Sequence, residues 1–245
     1  MSNDSSNPFQ IEDRGILERL QLVPKLIAKR AFYIQNHKQD YMNHLKYEYN
    51  MLHRMFPTVV IKPEARIKSW ESYNKKINKL INENYSTDIY DIFACRYIID
   101  SVNGSKEDAD IIPILYSIRD TIAYGNPNLV VMPERVKDYV VHPKHNDYQS
   151  LHVTSIHKNH GGFVSETQLR SYFMHEIARN GNASHANGYK DRTPGVTEVP
   201  IMFEYVLDEN GFCTEVKEMS REKAYEKFFG EPYDEEKDRM SRHDI

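Results

Sequence analysis

Near the start of the chain, apolar side chains recur every three or four residues: Ile16, Leu17, Leu20, Val23 and Leu26-Ile27, then Tyr41, Leu45, Tyr49 and Leu52. That spacing marks one face of an α-helix, so Ile11 to about Met55 reads as helical. Pro24 lacks an amide hydrogen and crowds the preceding turn, which predicts an interruption there and a second helix over about 38–55. The pattern then shortens. TVVIK (58–62) and IFACRYIID (92–100) carry the β-branched and aromatic content of strands, the second of them buried, and a basic helix over 70–83 lies between. A helix over roughly 106–122 leads to strands near 129–132 and 138–142. Strands at 149–157 and 163–170 follow, joined by the turn signal KNHGG, and a helix over 172–185 closes the unit. VPIMFEYVLDENGFCTEV reads either as a hairpin about Asn210-Gly211 or as something less regular, and the tail from about Arg221 is a charged helix. Hairpins mixed with strand–helix–strand segments predict an α/β (α+β) fold, a mixed sheet with helices packed on it.

Composition narrows the function more than the fold. A chain of 245 residues can bury a full core. The formal net charge of -4 excludes a uniformly basic surface, while leaving room for a local basic cleft. Cys95 and Cys213 are far apart and predict no disulfide framework, which fits a reducing compartment. The start, MSNDSSNPFQIEDRG, has no apolar h-region, and no run approaches the length of a membrane span. A cytoplasmic protein with no membrane partner is expected. Residues 1–10, rich in Ser and Asn, read as a disordered lead-in.

Four stretches carry chemistry. In RIKSWESYNKK, Arg66, Lys68, Lys75 and Lys76 face Glu71 alone, and Ser72 sits one helical turn from the lysines. Such a cluster suits a polyphosphate, or is simply a solvated basic helix; without a Walker glycine loop it is no P-loop. In DIYDIFACRYI, Asp91 stands just before a buried strand and Arg96 within it. A carboxylate fixed there suits Mg²⁺, or caps a turn, and Asp88 competes for the role. In ETQLR, Glu166, Gln168 and Arg170 share one strand face, either a working surface or a solvent face. A second carboxylate there supplies what metal-assisted phosphoryl transfer needs, sharing the ion or taking a proton from the attacking hydroxyl. In HPKHNDYQSLHVT, the ring of Tyr148 stands among the donors Lys144, Asn146 and His152, a set that suits an unpaired nucleobase. His142, His145 and His152 also raise a metal, but no Cys/His pair with zinc spacing follows.

In this order the four stretches closely resemble the synthetase domain of the RelA/SpoT family, the alarmone synthetases. An Arg-x-Lys-x-x-x-Ser-x-x-x-Lys block is matched by Arg66, Lys68, Ser72 and Lys76, and Tyr-Asp-x-x-x-x-Arg by Tyr90, Asp91 and Arg96. The acceptor-loop segment is matched by Lys137, Asp138, Tyr139, Pro143, Lys144, Asn146, Tyr148, Gln149, Ser150 and His152. Glu166, Gln168 and Arg170 match the next block; Met174, His175, Gly181, Ala183, His185, Tyr189 and Lys190 match the one after it. The family glycine before the tyrosine is Asp147 here, a residue that tolerates positive φ better than most.

The resemblance implies a nucleotidyltransferase-like synthetase fold over 57–192, preceded by N-terminal helices over 11–56 and followed by a C-terminal segment over 193–245. It implies transfer of the β,γ-pyrophosphate of ATP to a ribose 3′-OH with release of AMP. Arg66, Lys68, Ser72, Lys76 and Arg96 would bind ATP, and Asp91 and Glu166 would hold Mg²⁺ and carry catalysis. Lys137, Tyr139, Lys144, Asn146, Tyr148, His152, Gln168 and Arg170 would surround the acceptor, its base stacked on Tyr148. A hydrolase function is not expected, since about 57 residues precede the core and lack clustered His and Asp, with His243-Asp244 at the extreme tail. The acceptor is either GDP/GTP, as in the classical small synthetases, or the 3′-CCA end of tRNA, as in toxic small members paired with an antitoxin protein. Asp147, the Tyr-Gln-Ser reading of the loop, and Lys25, Lys29 and Arg30 as phosphate-backbone contacts tilt the expectation to tRNA. A solvated helix face explains the last cluster equally well, and a catalytically silent nucleotide sensor is the third reading.

Overall fold

The computed structural model describes residues 16–82, 89–158, 162–180 and 198–241. The expected lead-in (1–10), Asp88, the middle of the KNHGG turn, the matched residues 181–190 and His243-Asp244 lie outside the described residues.

The chain opens with one helix, α1 (Ile16–Met55). The break expected at Pro24 and the separate helix over 38–55 do not occur. The side chains between explain why: Tyr33 and His37 continue the inward stripe, packing on each other (4.9 Å between ring centroids), on Phe93 (Tyr33, 5.5 Å) and on Phe163 (His37, 5.8 Å). With Tyr41, Leu45, Tyr49 and Leu52 behind them, all buried, tertiary packing outweighs the hydrogen bond that Pro24 removes.

After α1 come β1 (Val59–Ile67), α2 (Trp70–Asn82), β2 (Phe93–Val102), α3 (Asp108–Gly125), β3 (Leu129–Val131), β4 (Lys137–Asp138), β5 (Leu151–His157), β6 (Val164–Ser171), α4 (Tyr172–Asn180), β7 (Ile201–Leu207), β8 (Cys213–Glu218), α5 (Arg221–Phe229) and α6 (Glu235–Ser241). The eight strands form one mixed sheet of order β3-β5-β6-β2-β1-β7-β8, with β4 alongside β5. Among the described residues only the β2–β6 pair is parallel, so the expected α/β class with a mixed sheet is the observed one.

Three local readings change. The strand at 58–62 runs on to Ile67, and its Pro63 is tolerated where β7 does not pair, since β7 meets only residues 65–67. The strand expected over 138–142 shrinks to two residues. There the Asp138 carboxylate accepts from the amides of Val140 and Val141, both at 3.0 Å, and pulls the chain into a turn. The ambiguous stretch near Asn210-Gly211 is a hairpin of β7 and β8, with Gly211 at φ 82° in its turn. That hairpin extends the same sheet past residue 192.

One face of the sheet is apolar. Ile61, Ala65, Ile67, Cys95, Tyr97, Ile99, Leu151, Val153 and Leu169 are buried there, with α1 and α3 against it. A polar knot lies inside this layer. Glu48, 1% exposed, sits 3.3 Å from Nε2 of His44, and the Cys95 thiol donates weakly to its other oxygen at 3.9 Å. Glu48→Gln removes the charge that these neighbours face, so stability should fall by about 1–3 kcal/mol. The check is urea denaturation: a lower midpoint with unchanged slope is expected, and an unchanged midpoint would show that the charge has no structural use.

Candidate active site

Strand alternation that buries one face turns polar residues to the other, and the register aligns them in rows. Lys137 pairs with His152, His152 with Gln168, Gln168 with Arg96, and Arg96 with Glu64, a polar row across five strands. One step along lies Arg66–Ala94–Glu166–Thr154. Ala94 is the small member, leaving room between the Arg66 guanidinium and the Glu166 carboxylate.

At the β1–α2 end, the amide of Lys68 donates to the carbonyl of Ile92 at 2.8 Å, which locks the exit of β1 beside the approach to β2. Asp91 therefore meets both lysines: Nζ of Lys68 at 2.9 Å on one oxygen and Nζ of Lys76 at 2.8 Å on the other. Burial pushes the Asp91 carboxyl up, but the two ammonium groups overcome it and hold the carboxyl well below its ordinary range. Burial likewise pulls the Lys68 ammonium down, against the pull of Asp91. Ser69 caps α2, accepting from the amide of Ser72 at 3.2 Å, and its hydroxyl donates to Oγ of Ser72 at 2.9 Å. Lys75 turns to Glu71 at 3.0 Å, so of the two adjacent lysines only Lys76 joins Asp91. Arg66 has no hydrogen-bond or ion-pair partner among the described residues.

At the centre a relay fixes a proton. Arg170, fully buried, donates to the hydroxyl of Tyr148. Because a guanidinium only donates, that hydroxyl gives its own hydrogen to Nε2 of His152 at 3.0 Å. The neutral imidazole then carries its hydrogen on Nδ1, which lies 3.5 Å from a Glu166 oxygen, within ion-pair range but too poorly aligned for a full hydrogen bond. Burial lowers the His152 pKa, in keeping with the neutral ring. Glu166 is pushed up by burial, yet His152 and the Gln168 amide, which donates at 2.8 Å, bring it below the usual carboxylate range. Nε and Nη2 of Arg96 both donate to the Gln168 carbonyl at 3.2 Å, and its Nη1 to Glu64 at 3.2 Å. Lys137 and Lys144 are each lowered by burial and raised by Glu166, which places both ammonium groups within reach of its charge.

The loop before β5 folds as a turn from Lys144 to Tyr148, closed by Asp147 N to Lys144 O at 2.9 Å and Lys144 N to Tyr148 O at 3.1 Å. Asp147 takes φ 64°, the left-handed conformation that glycine would adopt without cost. Tyr148 is 3% exposed. Its ring is covered by the ammonium of Lys144 (4.9 Å, and 4.4 Å from the Tyr139 ring) and the guanidinium of Arg170 (4.6 Å). Asn146 is 9% exposed, and neither atom of its amide has a partner among the described residues. His142 and His145 are exposed while His152 belongs to the relay, and the described residues hold no group of three or more metal-binding side chains.

The cations expected to meet tRNA separate. Lys25 and Lys29 are exposed on α1. Arg30 is committed inside the fold: it donates to the carbonyl of Lys68, and its guanidinium lies 5.5 Å from the Tyr73 ring and 6.0 Å from the Trp70 ring. Sequence reasoning missed three contributors. Glu64 would have followed from extending β1 back by two-residue steps from Arg66. Arg135, stacked 4.1 Å over Tyr90 beside Asp91, and Glu198, which caps α2, have no local signal.

The family described as a region found in RelA / SpoT proteins matches residues 65–193, just over half of the chain. The chain belongs to the RelA/SpoT family. The match takes in most of the sheet and the site residues other than Glu64, Glu198 and the α1 cations. This RelA/SpoT-family chain is 29% identical over 173 residues to a guanosine-3′,5′-bis(diphosphate) 3′-pyrophosphohydrolase of Spiroplasma citri, covering 67% of this chain and 21% of that one. It is 34% identical over 113 residues to a GTP pyrophosphokinase of Streptomyces coelicolor, covering 46% and 12%. It thus spans about a fifth or less of the length of these curated relatives. Among solved structures, it is similar to the small alarmone synthetase 1 of Bacillus subtilis bound to its product pppGpp (TM-score 0.44, 17% identity, 60% of this chain and 75% of that one). It is also similar to the small alarmone synthetase 2 of the same organism (TM-score 0.39, 23% identity, 56% and 70%).

Proposed function

We propose that this chain is an ATP pyrophosphokinase that moves the β,γ-pyrophosphate of ATP to the ribose 3′-OH of a guanosine nucleotide, releasing AMP. The observation that carries the reading is one sheet face on which two ionised carboxylates, Asp91 and Glu166, stand among Lys68, Lys76, Lys137 and Lys144 in a RelA/SpoT-family chain. The synthetase core is then 57–192, flanked by α1 and by the C-terminal segment. Two buried free cysteines fit a cytoplasmic setting, and no helix among the described residues is long and apolar enough to cross a membrane.

Lys68 and Lys76, now on Asp91, would turn to the phosphates as ATP enters, with Arg66, Ser72 and Arg96 completing the donor subsite. Asp91 and Glu166 would hold Mg²⁺, which is commonly bound by one or two carboxylates plus substrate phosphates rather than by an all-protein cage. The ion would neutralise charge on the transferring phosphates. The 3′-oxygen forms a bond to the β-phosphorus while the bond to the α,β-bridging oxygen breaks, and that oxygen leaves on AMP. Glu166, held low, is a weak base. It orients the hydroxyl and accepts the proton only as the new P–O bond forms, with His152 and Gln168 keeping the carboxylate in place.

The acceptor side supports guanosine over the tRNA end expected from the sequence. Asp147 adopts the glycine conformation, so the turn survives, and Arg30 is unavailable to a phosphate backbone. The unpartnered Asn146 amide, costly to bury at about 1–3 kcal/mol, is what a purine edge would satisfy. Asp147→Gly should leave the kcat/KM for GDP within about twofold, since glycine meets no penalty at positive φ. A gain above tenfold would make the Asp147 carboxylate a device against guanosine. The acceptor itself is tested with γ-labelled ATP against GDP, GTP and deacylated tRNA in parallel. Label in guanosine nucleotides supports this reading; label on tRNA alone would replace it with a translation-blocking toxin and an antitoxin partner.

A further inference from the structure

α5 lies on the same sheet face as the donor residues. Ala224 and Tyr225 pack with Val199 and Met202, and Met202 pairs with Arg66 across β7 and β1. Arg221 anchors the helix start, gripping the fully buried Asp238 with Nε and Nη2 at 2.7–3.0 Å and donating to the carbonyl of Val199 at 3.1 Å. Next to Val199, Glu198 accepts from the amide of Glu71 at 2.6 Å and returns its own amide to the Glu71 carboxylate at 3.0 Å, bracing the N-terminus of α2. The second link is more direct. Lys227 of α5 places Nζ 3.5 Å from one oxygen of Glu64, whose other oxygen takes Nη1 of Arg96. With Nε and Nη2 on Gln168, the Arg96 guanidinium is fixed in its plane from two sides.

We infer that Glu64 and Lys227 are positioning residues of the donor subsite: α5, acting through Lys227 and Glu64, fixes the Arg96 guanidinium in the orientation that ATP meets. The inference rests on the proposed assignment of Arg96 to ATP. Lys227 falls outside residues 65–193, so the donor affinity of this chain is set in part by its C-terminal segment. Lys223, two-thirds exposed on the same helix, pairs instead with Glu204 and serves as the control.

The experiment is a kinetic double-mutant cycle with Mg²⁺, ATP and GDP. Losing a charge-assisted hydrogen bond predicts that Glu64→Ala raises the KM for ATP about tenfold, with kcat and the KM for GDP within about twofold. Glu64→Gln, which keeps an acceptor for Arg96, should recover most of that loss. Lys227→Glu should raise the KM for ATP a few-fold in the wild-type background by repelling Glu64, and have no effect once Glu64 is alanine. Lys223→Ala should change nothing. Equal effects of Lys227→Glu in both backgrounds, or a matching rise in the KM for GDP, would overturn the inference. Should the wild-type protein transfer no pyrophosphate, the functional reading fails on that arm alone. The same cycle, read as the Kd of a fluorescent ATP analogue, then decides whether Glu64 and Lys227 orient Arg96. If Glu64→Ala does not fold, the Glu64→Gln and Lys227→Glu arms carry the same decision.

Discussion

Replacing Glu166 by glutamine is expected to slow pyrophosphate transfer by about 10²–10⁴-fold while leaving metal-free ATP affinity within about twofold. The shape of the side chain is kept, and the Gln168 amide still has an oxygen to donate to. What disappears is the charge that, in the proposed reaction, orients the 3′-hydroxyl and receives its proton. Rapid-quench assays of AMP release set beside equilibrium ATP binding separate the two effects; transfer at near wild-type rate would remove Glu166 from the chemistry. A pH profile adds a second check. Because burial lowers the His152 pKa, the ring stays neutral below the ordinary histidine value near 6.5, and the acid limb of kcat should begin below that pH. The same shift has a stability consequence. The unfolded chain takes up this proton first as pH falls through about 6.5, so the contribution of the neutral ring is complete above that value and shrinks below it.

Asp91→Asn is expected to abolish transfer and also to destabilise the fold by about 3 kcal/mol at pH 7, because it strips a buried ammonium of its anion. Lys68 has a side chain 8% exposed and faces Asp91 at 2.9 Å; Lys76, 38% exposed, can turn to water and adds less. The sign with pH follows from the depressed carboxyl. Its stabilising contribution is full above the unfolded value near 4 and is lost as pH falls towards the lower folded value. The difference in urea midpoint between wild type and Asp91→Asn should therefore be widest near neutrality and begin to narrow as pH falls below about 4. A difference that persists unchanged to pH 3, or none at pH 7, would show that the Asp91 charge does not hold these lysines.

What could be read from the sequence was local or ordered along the chain. The alternation in ETQLR put Glu166, Gln168 and Arg170 on one strand face, because strand periodicity depends only on neighbouring residues. The Arg66–Lys76 block stood out as a basic cluster because its spacing maps directly onto a strand exit and one helix turn. The remainder depended on distant contacts. Pro24 did not break α1, since Tyr33 and His37 find Phe93 and Phe163, residues far along the chain. Arg30 looked like one of three exposed cations, and only the fold shows it bound to the Lys68 carbonyl. Tyr148 read as a ring offered to a base, yet the ammonium of Lys144 and the guanidinium of Arg170 cover it, contacts with no local sequence signal. The tie between Lys227 and Glu64 spans most of the sheet-forming chain and leaves no trace in local pattern.

The most direct measurement is the mass and stoichiometry of the product. Purified protein is incubated with Mg²⁺, ATP and GDP, and the nucleotides are separated and weighed by mass spectrometry. A guanosine product heavier by two phosphoryl groups, formed one-for-one with AMP and absent with Glu166→Gln, is the predicted result. ADP with a single phosphoryl gain, or unchanged GDP beside intact ATP, would contradict the account.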